Sequence, residues 1–352
     1  MIYVNARFLT QNLTGVQRFA REISKKLNDI RNDITFLVPS VDGLVDIESM
    51  GKIKLLEVRG GAGHYWEQVT LPLYLIKNKS PLLINLCNAA PAFYRNQITT
   101  IHDITYLKYP QSYSLKFRAV YSILTPLLLK NSKATITVSN YSRDDIINYY
   151  KCNGEKISVI YNAVGDIFRC TNKKNDNSIK PYILAVSSQN YHKNFHGLIK
   201  AFGKYKGQLE LKIIGGTTKS FNGVELDTHD ERIFMLGRVS DEELVDLYSN
   251  ASCFIFPSLY EGFGIPPLEA QACGCPVLSS NRASMPEVLG GSAIYFDPES
   301  EVEILQSIEK VEKNDCLNES LIRDGFNNVA RFAWYDSALK LHKIIDSINA
   351  YK

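Results

Sequence analysis

The chain predicts a doubly wound α/β architecture in two domains. Its 352 residues, 45% hydrophobic and 22% charged, suit two cores of about 100–200 residues each. Short apolar runs alternate with amphipathic helical patterns from end to end. Several of those runs are continuous Val/Ile/Leu stretches, as strands buried on both faces of a parallel sheet require.

In the first half, strands are expected at 2–5, 34–38, 81–86, 98–101, 134–138 and 157–160, with helices over 15–28, 65–77, 114–130 and 140–150. In the second, strands fall at 181–186, 209–214, 232–236, 252–256, 276–279 and 293–296. The helices there are 194–206, 240–250, 264–273, 300–313 and 318–350. The stretch Cys170–Pro181 is the most polar and ends in proline, so it reads as a linker. The expected division is a first domain over 1–165, a linker over 166–180 and a second domain over 181–334. The terminal helix, 335–352, is apolar on one face and is expected to pack back on the first domain.

No apolar run approaches the ~20 residues that span a bilayer. The chain opens directly as a strand without a basic leader, so the expected compartment is the cytoplasm. Seven scattered cysteines, with Cys273-Gly-Cys275 wrongly spaced for zinc or a redox pair, imply reduced thiols. Sequons such as those at Asn12, Asn140 and Asn318 are then chance matches. Residues 1–160 carry 20 Lys+Arg against 12 Asp+Glu, and residues 161–352 carry 20 against 25. The basic first half suits an anionic surface or ligand, and equally an ordinary solvated face. Aromatic residues do not interleave with basic ones as on a nucleic-acid surface, so no nucleic-acid partner is expected.

The densest chemical signal is Pro257-Ser-Leu-Tyr-Glu261-Gly-Phe-Gly264-Ile-Pro-Pro-Leu-Glu269-Ala. Two carboxylates stand eight residues apart, one in a glycine loop and one about a turn into a helix, after the apolar strand Cys253–Phe256. A strand, a glycine loop and a helix start make a site for an anion, because helix-terminal N–H groups are unpaired. Carboxylates beside an anion site fit a ligand that carries both hydroxyls and phosphate.

Other segments add to this. Gly15, between the first strand and the first helix, lets backbone approach a phosphate, and the same pattern fits a plain helix start. The G-x-G-x-x-G fingerprint is missing there, which counts against a dinucleotide dehydrogenase. His102 ends a buried strand, where it can donate to a substrate hydroxyl or simply satisfy local backbone. Lys193 precedes a helix start, where the macrodipole disfavours a cation; a phosphate partner explains it, as does plain exposure. Ser240 and Glu243 form a capping-box pattern. That leaves Gly237, Arg238 and Val239 as a strand-end loop able to read a base edge, with Arg238 adding a phosphate contact. No Asp-x-Asp pair, P-loop, Ser-His-Asp motif or zinc spacing occurs, so no metal or cofactor is expected and cationic side chains take the phosphate.

The runs Gly237–Leu244, Ala251–Ala270 and Cys273–Val288, with Thr14-Gly-Val-Gln-Arg-Phe19, Ile101-His-Asp103 and Phe332-Ala-Trp334, resemble the retaining family 4 glycosyltransferases. The resemblance spans nearly the whole chain. It implies the GT-B fold, two Rossmann-like domains facing across a cleft. It also implies that Glu269 binds ribose hydroxyls and that Glu261 faces the donor sugar near the anomeric carbon. By the same resemblance Phe263, Gly264 and Ile265 lie where loop backbone meets sugar and phosphate, Lys193 holds the diphosphate, His102 meets a sugar hydroxyl and Gly15 lies by the diphosphate. One departure is Ser187, where many members carry an arginine that Arg238 would replace.

The implied reaction moves a hexose, mannose from GDP-mannose as first choice, to a hydroxyl of a polyprenyl-diphosphate-linked glycan in O-antigen, capsule or exopolysaccharide synthesis. The implied partners are a nucleotide diphosphate sugar and an inner-membrane surface, which the basic, aromatic segment Tyr113–Tyr121 would touch unless it packs inside the domain. The alternatives are a dTDP-rhamnose or UDP-sugar transferase, a nucleotide-sugar epimerase of the same fold, and a non-catalytic binder of glycan or nucleotide.

Overall fold

The computed structural model describes residues 1–170, 180–186, 188, 190–215 and 230–350. Ser187 and most of the expected linker lie outside the described residues. The chain divides into two compact units.

The first unit comprises Met1–Ile104, Ala119–Asn162 and the chain from Ala333 onward. Its strands are β1 (Ile2–Asn5), β2 (Ile34–Val38), β3 (Leu55–Glu57), β4 (Leu82–Ile84), β5 (Gln97–Thr100), β6 (Ala134–Thr137) and β7 (Ile157–Val159). They form one parallel sheet in the order β3-β2-β1-β4-β5-β6-β7. Every residue of β1, β2, β4 and β5 is buried, which is why these strands read as unbroken apolar or Thr-rich runs. The short β3 was not expected: two leucines among lysines at a half-exposed edge give too brief an apolar signal.

The helices of the first half in chain order are α1 (Gly15–Ile30), α2 (Gly63–Tyr65), α3 (Leu71–Lys77), α4 (Thr105–Lys108), α5 (Leu115–Asn131) and α6 (Asn140–Tyr150), of which α4 and the first four residues of α5 fall in the second unit. Between α2 and α3, Trp66–Thr70 takes the wider π conformation. Pro72 has no N–H to return to the carbonyl four residues earlier, so the turn before it opens.

The second unit holds Thr105–Arg118 and Ala163–Phe332. Strands β8 (Tyr182–Val186), β9 (Glu210–Ile214), β10 (Ile233–Gly237), β11 (Cys253–Phe256), β12 (Val277–Ser280) and β13 (Ile294–Phe296) form a parallel sheet ordered β10-β9-β8-β11-β12-β13. Helices α7 (Phe195–Phe202), α8 (Asp241–Asn250), α9 (Ile265–Ala272), α10 (Met285–Leu289), α11 (Glu301–Glu312) and α12 (Asp315–Val329) complete it. The expected capping box closes α8: Glu243 N–H donates to Ser240 Oγ at 3.2 Å and Ser240 N–H to Glu243 Oε2 at 2.8 Å.

Two boundaries differ from the sequence reading. The first domain, expected as continuous over 1–165, gives up Thr105–Arg118 to the second unit. There His192 N–H donates to Ser112 Oγ (3.2 Å), His192 Nδ1 lies 2.8 Å from the same oxygen, and the Tyr113 ring stacks parallel to the imidazole. The single helix expected over 318–350 is broken into α12 and α13 (Trp334–Ala350). The break places Phe332 edge-on to Phe263 in the second unit, while Trp334 meets Phe19 in the first.

Along α13, Ala338, Leu341 and Ile345 are fully buried in the first unit. Ser337 Oγ donates to the Tyr161 carbonyl at 2.7 Å, and Arg31 Nη1 reaches His342 Nδ1 (2.9 Å) and Asp346 (2.5 Å). Leu341→Ala should therefore lower stability by about 2–5 kcal/mol, the usual range for a leucine truncated in a closed core. Urea denaturation followed by circular dichroism measures it; a loss under 1 kcal/mol would mean that α13 does not hold the first unit together.

Candidate donor site in the second unit

A parallel sheet whose strand order reverses leaves a crevice at the carboxyl ends of the two strands on either side of the reversal, and ligands bind there. In the second sheet that point lies between β8 and β11. The loop after β8 carries Lys193 and the loop after β11 carries Glu261. The structure joins them: Lys193 Nζ donates to Glu261 Oε1 at 2.7 Å, with both side chains less than one-fifth exposed.

Sequence reading assigned Lys193 to phosphate and Glu261 to sugar without pairing them. As an ion pair they neutralise each other, and a diphosphate entering the crevice would take over the lysine and release the carboxylate toward hydroxyls. Serines that the sequence reading missed fix Glu261 further. Ser258 Oγ donates to its Oε1 at 2.6 Å, Ser280 Oγ holds the Ser258 carbonyl at 2.6 Å, and Ser284 Oγ donates to the carbonyls of Glu261 (3.0 Å) and Phe263 (3.2 Å).

The glycine loop then enters α9. Gly264 is its N-cap, with φ +87°, and a Cβ there would fall on the Met285 methyl. Pro266 and Pro267 occupy the second and third helical positions and carry no N–H. The anion site expected at this helix start therefore rests on the N–H groups of Gly264 and Ile265, not on a full first turn. The Phe263 ring is buried against Phe332, so Phe263 presents backbone only. Glu269, on the second turn, is 6% exposed, and Tyr248 OH donates to its Oε2 at 3.4 Å. Gly237, with φ +72°, turns the chain after β10 through a register shift; Arg238 follows it exposed and Val239 half-buried.

His192, beside Lys193, was also missed. Its carbonyl accepts the Leu259 N–H at 2.8 Å, tying the two loops together. Burial, and then the Lys193 charge, hold its imidazole well below the usual histidine range, so it stays neutral. Only its position next to the lysine marks it in the sequence. The rings of Tyr113 and Phe117, read as a possible membrane face, instead stack on each other at 4.9 Å, and Tyr113 also stacks on His192.

Gly15 and His102 belong to the first unit. Gly15 is the exposed first residue of α1, and Thr14 makes no side-chain cap bond there. His102 lies past β5, 6% exposed. Its Nε2 donates to the Leu86 carbonyl at 3.1 Å, its N–H donates to Asn88 Oδ1 at 2.8 Å, and Phe19 meets the ring edge-on. Burial lowers its pKa. A neutral imidazole committed at Nε2 offers Nδ1, so His102 would accept from a hydroxyl rather than donate, the reverse of the sequence expectation. Among the described residues no group of three His, Cys, Asp or Glu side chains could hold a metal ion, and no helix is long and apolar enough to cross a membrane.

The second of two Rossmann-like units thus sets a paired lysine and glutamate at its switch point and a glutamate on the next helix. Residues 13–166 match glycosyltransferase family 4 and residues 168–328 match the glycosyl transferases group 1. The chain is 35% identical over 274 residues to the O-antigen chain mannosyltransferase RfbU of Salmonella typhimurium, covering 76% of this chain and 73% of the relative. It is 30% identical over 276 residues to O-antigen chain mannosyltransferase B of Escherichia coli, covering 72% and 70%. Among solved structures, sucrose-phosphate synthase from Thermosynechococcus elongatus aligns over 100% of this chain and 99% of its own, with TM-score 0.78 at 16% identity. The lipopolysaccharide-biosynthesis glycosyltransferase WaaG aligns over 98% and 99%, with TM-score 0.71 at 12% identity. The fold is GT-B, and the chain belongs to the family 4 glycosyltransferases; it is a glycosyltransferase.

Gly264→Ala should cost about 1–3 kcal/mol, because it forces a side chain into left-handed backbone and onto Met285. Melting temperature, together with affinity for free nucleotide, measures it. An unshifted melting temperature would show that the loop relaxes without strain.

Proposed function

We propose that this enzyme transfers mannose from GDP-mannose, with retention of configuration and without a metal, to a lipid-linked glycan in O-antigen synthesis. The observation that carries the donor half is the Lys193–Glu261 pair across the β8/β11 switch point, with Glu269 on the following helix. The names of the two O-antigen mannosyltransferase relatives supply the sugar and the pathway.

In this reading Glu269 takes the ribose hydroxyls. Lys193 leaves Glu261 for the diphosphate and stabilises the charge that grows on it as the glycosidic bond breaks, helped by Gly264 and Ile265 N–H and by Arg238 and Val239 from the β10 loop. Glu261, still held by Ser258, orients the sugar. Neither glutamate acts as a nucleophile; the departing phosphate accepts the acceptor hydroxyl's proton on the same face of the sugar.

The acceptor half rests on a surface of the first unit. Tyr65, Val69, Leu73 and Ile76 recur at spacings of four, four and three residues through α2, the π turn and α3, and all are exposed. Phe93, 82% exposed, stands on the loop that Gln68 ties to this helix through Ala90 and Ala92. Within the first unit, residues 58–104 and 119–133 contain six Lys+Arg and only two acids, Glu67 and Asp103; Glu67 is buried. An apolar stripe in cationic surroundings fits an anionic lipid surface, where a polyprenyl-linked acceptor resides. The enzyme would then work at the cytoplasmic face of the membrane.

Thermal shift against GDP, UDP, dTDP and ADP sugars should single out GDP-mannose. Glu269→Ala should weaken GDP binding by about 10-fold or more, the worth of hydrogen bonds to a charged group. Anomeric NMR of the product should show retention and EDTA should leave turnover intact. Preference for another nucleotide would sink the donor assignment, and unchanged GDP affinity in Glu269→Ala would remove that residue from the ribose.

Vesicle flotation tests the surface independently. The protein should float with phosphatidylglycerol-rich vesicles and not with phosphatidylcholine alone, and Leu73→Asp/Ile76→Asp should abolish flotation while GDP binding persists. Flotation unaffected by the double change would clear this stripe of the role.

A further inference from the structure

Lys193 stands in a single 3-10 turn, Tyr191–Lys193, between β8 and α7. A loop this short has no ladder or long helix to fix it, so side chains must do so. On one side Asn194, with φ +57°, is pinned by its Nδ2, which donates to the Pro298 carbonyl at 2.7 Å. On the other side His192 is pinned by Ser112. The Ser112 Oγ accepts the His192 N–H at 3.2 Å, and its own hydrogen is left to donate to Nδ1 at 2.8 Å. The His192 carbonyl in turn accepts the N–H of Leu259, two residues before Glu261, at 2.8 Å. One histidine thus fixes the lysine's loop and ties it to the loop of the lysine's partner.

We propose that Ser112 and His192 are positioning residues for the transfer, holding the loop that sets Lys193 against the diphosphate of the donor.

This role rests on the reading of Lys193 given above. As filler, the pair is a poor choice: Ser112 is fully buried and His192 is 4% exposed. Polar groups withdrawn from water that far must be bonded merely to break even, and apolar side chains would pack as well. What the pair supplies is direction. One hydroxyl bonds both the backbone and the ring of the same residue, so His192 can neither turn its ring nor slide without losing a bond. The Tyr113 ring, 4° from parallel and 6.2 Å away, closes one face of the imidazole. Burial, and then the Lys193 charge, keep the imidazole neutral, as an Nδ1 that accepts requires. The excursion of Thr105–Arg118 into the second unit is what brings Ser112 to this loop. Neighbouring Cα atoms are about 3.8 Å apart, so a displacement of His192 passes to Lys193 almost undiminished. An ångström of misplacement at a group that stabilises developing charge can cost about 100-fold.

Calorimetric titration with GDP and UDP tests the role, on the wild type and on Ser112→Ala, His192→Phe, His192→Asn and Lys193→Ala. GMP and UMP are titrated alongside, since they lack the second phosphate. Ser112→Ala and His192→Phe should weaken the diphosphate that the wild type binds about 10-fold, the scale of a misplaced charge-assisted contact, and the matching monophosphate less than threefold. His192→Asn, whose Oδ1 can stand where Nδ1 does, should bind within threefold of the wild type. Added to Lys193→Ala, Ser112→Ala should cost less than twofold more, because the lysine through which it acts is gone. Equal losses with diphosphate and monophosphate, or full additivity with Lys193→Ala, would make the pair scaffolding and overturn the role. Wild-type affinity in Ser112→Ala would overturn it too. A wild type that binds neither diphosphate, or a Lys193→Ala variant that binds as well as the wild type, strikes the donor reading itself, and the positioning role falls with it.

Discussion

Everything functional in this chain follows from one constraint: an open parallel sheet cannot be covered on both faces without a point where the winding reverses. At that point neighbouring loops leave in opposite directions and expose the carboxyl ends of two strands. The chain meets this constraint twice, between β1 and β4 and between β8 and β11. In each place it sets a cation against a carboxylate, Arg7 with Glu67 and Lys193 with Glu261. The glycine loop, the serine scaffold and the α9 start serve the second of these points.

The two pairs differ in what surrounds them. Lys193 and Glu261 are short of full burial, and the carboxylate is also held by Ser258 Oγ, whose own residue is fixed by Ser280 Oγ donating to the Ser258 carbonyl. Glu67 is more deeply enclosed, with the Asn5 amide, the Arg7 guanidinium and the His64 ring all set against it. The Lys193–Glu261 pair is the more open to exchanging a partner, and the Glu67 cluster is the more fixed.

The sheets were legible because burial on both faces leaves unbroken apolar runs, and because Ser240 with Glu243 announces a helix start locally. The Glu261 loop was legible for the same reason: strand, glycines and helix lie within twenty residues. What sequence could not show is long-range. Glu67 sits inside a helical pattern, and its partner Asn5, which also bonds Asn85, ends β1 62 residues earlier in the chain. Ser112 and His192 are 80 residues apart, so nothing local reveals that Thr105–Arg118 joins the second unit. The break after α12 was hidden because Phe332 and Trp334 both suit a helix, and only their separate aromatic partners force the chain to open between them.

His102 shows how burial decides chemistry that residue type leaves open. Its Nε2 is committed to the Leu86 carbonyl and its ring is wedged against Phe19, so it stays neutral with a single lone pair at Nδ1 for a ligand. A neutral acceptor can fix a hydroxyl without adding charge. Burial thus sorts the chemistry open to each: the enclosed histidine is a neutral acceptor, and the lysine, less than one-fifth exposed, is paired with the Glu261 carboxylate.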